Sequence, residues 1–227
     1  MAATVALTFL ARFTNRMVAF AVGVLLGFAL TDIFPEAINL GLNITTAGWV
    51  LTAGIMSFFL LEKLALWRHD HATALGHTCY KPQVAMILLG DGMHNFVDGI
   101  LLAAAFLTDW KLGWTAAIAI TAHEIPQEIS DFMVLLNGGL SKKRALYLNA
   151  LSGAAMTLGG VIGWLSLSHA HNAIPYVLTF TASSFVYIAV ADLLPELLHD
   201  RKPRDMFLQL ALMTLGLSVP AFAKLFE

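Results

Sequence analysis

Apolar runs broken by short polar stretches predict seven helices, at about residues 17–38, 46–66, 83–107, 112–137, 144–167, 174–198 and 206–226. A bilayer core of about 30 Å takes roughly 20 apolar residues as helix. Each run therefore reads as a membrane span. Residues 1–11 are apolar as well, but Arg12 cuts that run to about half a crossing, so it reads as a truncated or partly embedded first helix. The expected fold is all-α: a polytopic transmembrane helix bundle of about seven full spans plus a short N-terminal helix, in a single domain over 1–227.

Composition excludes the soluble alternatives. Of the 227 residues 58% are hydrophobic and only 12% charged, and mean hydropathy is +0.74; soluble domains carry about 25% charged residues. No soluble domain fits beside the spans. The single Cys79 allows no internal disulfide, and no basic stripe points to nucleic acid. Lys and Arg are enriched in cytoplasmic loops. Eleven of the thirteen fall on one side: Arg12, Arg16, Lys63, Arg68, Lys81, Lys142, Lys143, Arg144, Arg201, Lys202 and Arg204. The expected topology puts the N-terminus in the cytoplasm and the C-terminus outside, in a multi-pass cell-membrane protein of the bacterial inner-membrane kind.

Two polar strings interrupt this pattern, His94-Asn95-Phe96-Val97-Asp98-Gly99 and His123-Glu124-Ile125-Pro126-Gln127-Glu128. Positions i, i+3, i+4 and i+7 of a helix share a face. Asp91, His94, Asn95 and Asp98 thus line one stripe of the third span, and His123, Gln127 and Asp131 line an edge of the fourth, with Glu124 and Glu128 beside it. A short turn at 108–113 makes the two spans an antiparallel hairpin whose polar stripes face each other. Leaving aside Asp109 in the turn, this region has five carboxylates and one cation, Lys111. Each intramembrane charge costs about 2.5–3.5 kcal/mol on insertion scales. A cation from outside the chain would offset that cost, and imidazole, carboxylate and amide oxygen suit a divalent ion such as Zn²⁺. Pro126 lacks an N–H, which predicts a kink and a spare carbonyl at Ala122.

A weak internal repeat also appears. Asp32-Ile33-Phe34-Pro35-Glu36 falls at the end of the first full span, and Asp192-Leu193-Leu194-Pro195-Glu196 at the end of the sixth. Five crossings separate them, an odd number, so the matching helices are expected to run in opposite directions, as in inverted-repeat transporters. Gly23 with Gly27, and Gly159 with Gly163, permit close helix contact.

The chain resembles the ZIP (Zrt/Irt-like protein) divalent metal transporters. The resemblance rests on the two polar strings, the Asp-x-x-Pro-Glu endings and Phe58-Phe59-Leu60-Leu61-Glu62-Lys63, and it points to the subgroup with a His-Glu-x-Pro-His-Glu motif. It implies that the seven spans are the family's second to eighth and that residues 1–16 are the remnant of its first. Residues 17–66 and 144–226 would then hold the repeat helices, around a central metal-binding pair at 83–137. It further implies a binuclear centre, one site from His94, Asp98, His123 and Gln127 and a second from Asn95, Asp98, Glu124 and Glu128, with Asp98 bridging. Gln127 stands where the subgroup has its second His, and Ser130 where Gly is usual. An acid on the family's sixth helix would fall near Asn149, leaving the second site poorer in charge.

The function implied is movement of a divalent transition metal toward the cytoplasm, zinc first, with Fe²⁺, Mn²⁺, Co²⁺ and Cd²⁺ open. The expected partners are that ion and the lipid bilayer, with a homodimer left open. Two rivals stand beside it. An intramembrane metal-dependent hydrolase would use Glu124 as general base, but the string lacks the second His of His-Glu-x-x-His. A metal sensor would bind without transporting. His69, His71, His77 and Cys79 in the loop at 67–81 are further metal candidates, as are His169 and His171 outside.

Overall fold

The structure is a computed structural model that describes residues 16–74, 83–198 and 203–224. Every regular element among them is helical. Seven rods follow in order: α1 (Arg16–Asn39), α2 (Ile44–Ala74), α3 (Gln83–Thr108), α4 (Trp110–Asn137), α5 (Lys142–Leu167), α6 (His171–Leu193, continued by Leu194–Leu197) and α7 (Pro203–Lys224). They coincide with the seven expected spans. Five, α1, α2, α3, α5 and α6, contain stretches long and apolar enough to cross a membrane on length and composition alone. In α4 the hydropathy is lowered by the site's own polar residues, and α7 offers a shorter apolar stretch, Asp205–Ala221.

Two boundaries differ from expectation. α2 runs on to Ala74, through part of the stretch expected as a loop. Residues 64–67 are Leu, Ala, Leu and Trp, and no Gly or Pro interrupts before Gly76, so helix propensity carries the rod onward. The turn between α3 and α4 contracts to one non-helical residue. Asp109, extended at φ −155° and ψ 144°, caps α4 by accepting from the backbone N–H groups of Lys111 (2.8 Å) and Leu112 (3.2 Å). This short connection makes α3 and α4 antiparallel neighbours. The ring of Phe106 packs over Gly113, where a Cβ would collide with it.

The two Asp-x-x-Pro-Glu strings sit in the same local structure. α1 widens to a π-helix over Phe28–Ile33 and α6 over Ile188–Leu193, and each then returns to α-helix with Pro35 or Pro195 in the first turn. The N–H of Phe34 reaches back to the carbonyl of Ala29, and that of Leu194 to Ala189. A proline has no N–H to offer its preceding turn, and a one-residue π-bulge is a common accommodation. Neither sequence string ends its helix outright; the chain continues to Asn39 and Leu197.

α1 and α6 are the most buried of the apolar rods, and α2 and α5 the least. The core joins Val22, Leu25, Phe28, Leu178 and Phe185 of α1 and α6 to Leu101 and Ala119 of the hairpin. α3 makes its widest contact with α5. Gly159 lies against the backbone of Phe96, and Gly99 against that of Met156 and Gly160, so these two helices touch main chain to main chain. Gly23 abuts the backbone of α7 at Met213 in the same way. Large apolar side chains such as Trp49, Met56, Phe59, Leu146, Leu158 and Trp164 point outward, an exposure suited to lipid.

Candidate metal centre

The centre lies in the α3–α4 hairpin. His94 and Asp98 come from one face of α3, four residues apart, and His123 and Glu124 from α4. His94 Nε2 lies 3.0 Å from His123 Nε2, 3.2 Å from Glu124 Oε1 and 3.6 Å from Asp98 Oδ2. His123 Nε2 lies 3.1 Å from Asp98 Oδ2 and 3.5 Å from Glu124 Oε1. Asp98 and His123 have no exposed surface.

The hydrogen-bond partners around these atoms give the distances meaning. His123 Nδ1 faces the carbonyl of Ala119 at 2.9 Å, a pure acceptor, so Nδ1–H donates and Nε2 is the ring nitrogen turned toward the cluster. Both oxygens of Asp98 and Oε1 of Glu124 are buried without a hydrogen-bond partner. Two imidazole nitrogens and two carboxylates thus converge on one point. Such crowding is costly in a low-dielectric interior unless a cation sits among them. Around a tetrahedral zinc with bonds of about 2.0–2.2 Å, ligand atoms stand about 3.3–3.6 Å apart. The observed separations of 3.0–3.6 Å bracket that edge length. The donor set fits a borderline ion such as zinc.

A second set adjoins it. Asp91, Glu124 and Glu128 each bring an oxygen within 4.8 Å of the others. Asn95 stands beside this set as a donor, its Nδ2 giving hydrogen bonds to the carbonyl (3.1 Å) and Oδ1 (2.9 Å) of Asp91. Glu128 reaches across to α5, where Asn149 Nδ2 donates to both its carbonyl and its Oε2.

Of the seven residues expected at the site, the structure brings His94, Asp98, His123 and Glu124 into one cluster and Glu128 into the neighbouring one. Glu124 is common to the two clusters. Its side chain, adjacent in sequence to His123, is long enough to reach the histidine set. Gln127 lies on the wall of a 270 Å³ cavity that His94 also lines, with Phe58, Glu62, Tyr187 and Asp192. In that cavity the Tyr187 hydroxyl donates to Glu62 Oε2. Asp91 is an addition: it stands on the same predicted stripe as His94 and Asp98, and that spacing was its signal. The α5 residues Asn149 and Ser152 carry no periodic signal of their own. α4 runs unbroken through Pro126. His69 and His71 fall on α2, while His77 and Cys79 lie outside the described residues. His169 and His171 are exposed at the α5–α6 connection, far in sequence from this hairpin.

An all-helical bundle with a lipid-suited outer surface thus surrounds a buried group of imidazoles and carboxylates that could hold a metal ion. Comparison with known proteins places it more narrowly. Residues 69–224 match the family described as ZIP Zinc transporter, and the chain belongs to that family. It is 32% identical to zinc transporter ZIP13 of Pongo abelii over 93% of this chain and 67% of that protein. It is 28% identical to zinc transporter YKE4 of Saccharomyces cerevisiae over 91% and 70% of the two chains. With zinc transporter ZIP10 of Danio rerio it shares 42% identity over 50% of its own length, spanning only 14% of that larger protein.

Proposed function

We propose that this chain carries a divalent transition-metal ion, zinc first, through a membrane toward the cytoplasm, loading it between His94, Asp98, His123 and Glu124. The convergence of two imidazole nitrogens and two carboxylate oxygens inside apolar helices carries the reading. The incoming ion exchanges its waters for two imidazole nitrogens and two carboxylate oxygens. Ala119 holds the His123 ring in the tautomer that binds. Release follows on the side of His94, whose edge meets the cavity shared with Gln127, Glu62 and Asp192.

The names of the relatives support zinc, and the Lys and Arg asymmetry supports a cytoplasmic N-terminal side. The string His123 to Asp131 supports the subgroup with the His-Glu-x-Pro-His-Glu motif, here with Gln127 in place of its second His. A bacterial inner membrane draws no support from the relatives, which come from vertebrates, an insect and yeast. The hydrolase reading loses ground because Glu124 Oε1 stands at ligand distance from both imidazoles, where a general base would be held back from the ion. A zinc-sensitive dye inside proteoliposomes tests the proposal. Zinc entry is expected with the natural chain and is abolished in His94→Ala/Asp98→Ala; undiminished entry in that variant would refute it.

A further inference from the structure

We propose that the groove between the N-terminal halves of α3 and α5 binds one anionic phospholipid, its phosphate on Lys143 and Arg144 and an acyl chain lying between the two helices.

The groove follows from how these helices meet. They touch main chain to main chain where Gly159 lies against Phe96 and Gly99 against Met156. Toward their N-termini they leave an open groove of 460 Å³. The small Gly92, Ser152 and Ala155 and the large, exposed Leu89, Met93 and Leu151 line it. The one hydroxyl on its wall, that of Ser152, donates to the carbonyl of Asn149 at 2.9 Å. Water in such a groove would meet few polar partners, so hydrocarbon fills it. Leu89, Met93 and Val97 line both this groove and the cavity that His94 shares with Gln127. An acyl chain here therefore backs the wall of that cavity.

Charge selects the kind of lipid. Arg144 shares a helical stripe with Leu148, Leu151, Ser152 and Ala155, at i+4, i+7, i+8 and i+11. At about 1.5 Å per residue the groove wall starts about 6 Å beyond Arg144 and runs on for about 10 Å. That is most of the roughly 15 Å of hydrocarbon in one leaflet. Lys142 and Lys143 adjoin Arg144 in the first turn of α5, and all three are exposed. Lys142 and Lys143 form no ion pair among the described residues, and no Asp or Glu occurs in the sequence between Asp131 and Asp192. A lipid phosphodiester supplies the missing counter-charge at the depth to which long basic side chains reach. A second groove of 460 Å³ between the same helices, with Ala103, Phe106, Val161 and Trp164 on its walls, is also apolar. It has no such cluster, because α3 contains no Lys or Arg and α5 none after Arg144. Shape is thus common to the two grooves, and charge belongs to one.

Native mass spectrometry tests the site on the detergent-purified full chain, titrated with phosphatidylglycerol and with phosphatidylcholine of the same acyl chains. One phosphatidylglycerol per chain is expected at concentrations where phosphatidylcholine does not stay bound. Lys143→Gln/Arg144→Gln should weaken phosphatidylglycerol binding roughly 25-fold, at roughly fivefold per basic residue. Lys63→Gln, which removes an exposed cation from α2, should leave it unchanged. Ala155→Phe keeps every charge and fills the groove, and should weaken binding at least about tenfold, the worth of two buried methylenes. Equal retention of the two lipids, or undiminished phosphatidylglycerol binding in the double variant, would overturn the headgroup assignment. Undiminished binding in Ala155→Phe, or glycerol phosphate binding as tightly as the whole lipid, would overturn the groove.

Discussion

Replacing Glu124 by Gln should raise stability without metal and shrink the stabilisation that zinc adds. The substitution preserves shape and removes one negative charge. Glu124 places an oxygen within 4.8 Å of ligand atoms of Asp98, Asp91 and Glu128. At that 4.8 Å limit, an effective dielectric of about 20 makes each repulsive carboxylate pair worth about 3.5 kcal/mol. Proton uptake relieves part of this in the metal-free protein, so a gain of about 1–3 kcal/mol is expected, or about 2–12 °C in Tm at about 2–4 °C per kcal/mol for a chain of this size. In zinc at a hundred times Kd the natural chain gains about 2.7 kcal/mol from binding. Loss of a direct ligand should weaken affinity by at least the roughly 100-fold seen when outer partners are removed. At the same zinc concentration the variant then gains about 0.4 kcal/mol. The assay is thermal unfolding in detergent with chelator and with zinc. A variant that melts lower than the natural chain in chelator, yet keeps its full zinc-induced shift, would refute the picture of clashing lone pairs satisfied by a cation.

Three further outcomes follow from the geometry. Gly159→Val drives a branched side chain into the Phe96 backbone, which cannot rotate aside, so stability should fall by about 1–3 kcal/mol in the same melts; an unchanged Tm would mean that α3 and α5 are not in main-chain contact. Gln127→His adds an imidazole to the cavity wall one turn beyond His123, and competition titrations should show zinc gaining over manganese; unchanged selectivity would remove residue 127 from the ion's path. Tyr187→Phe frees Glu62 Oε2 inside that cavity, so zinc flux should change while equilibrium zinc affinity does not; equal flux would mean that the hydroxyl only anchors α2 to α6.

Much of the fold was legible because the bilayer imposes a single length scale on apolar runs; six of the seven rods begin and end near the predicted limits, and α2 overruns its own to Ala74. The Asp-x-x-Pro-Glu strings marked the right places but not the π-bulges, since a proline says which donor is missing and not how the preceding turn accommodates it. The histidine set was legible from helical spacing in α3, where His94 and Asp98 are one turn apart. Glu124 was harder to place than Gln127, because stripe logic ranks residues by Cα direction while a glutamate can bend around its own helix. Asn149 was singled out by the family resemblance and not by periodicity; its hydrogen bond to Glu128 is a tertiary fact that spacing along one helix does not encode.

The central claim, that two imidazoles and two carboxylates hold the transported ion, is tested most directly by X-ray absorption at the zinc edge on the zinc-loaded chain. The account predicts four nitrogen or oxygen neighbours at about 2.0–2.1 Å with the outer-shell scattering of two imidazole rings, reduced to one ring in His123→Ala. A six-coordinate oxygen shell without imidazole scattering, or a spectrum unaltered by His123→Ala, would contradict it.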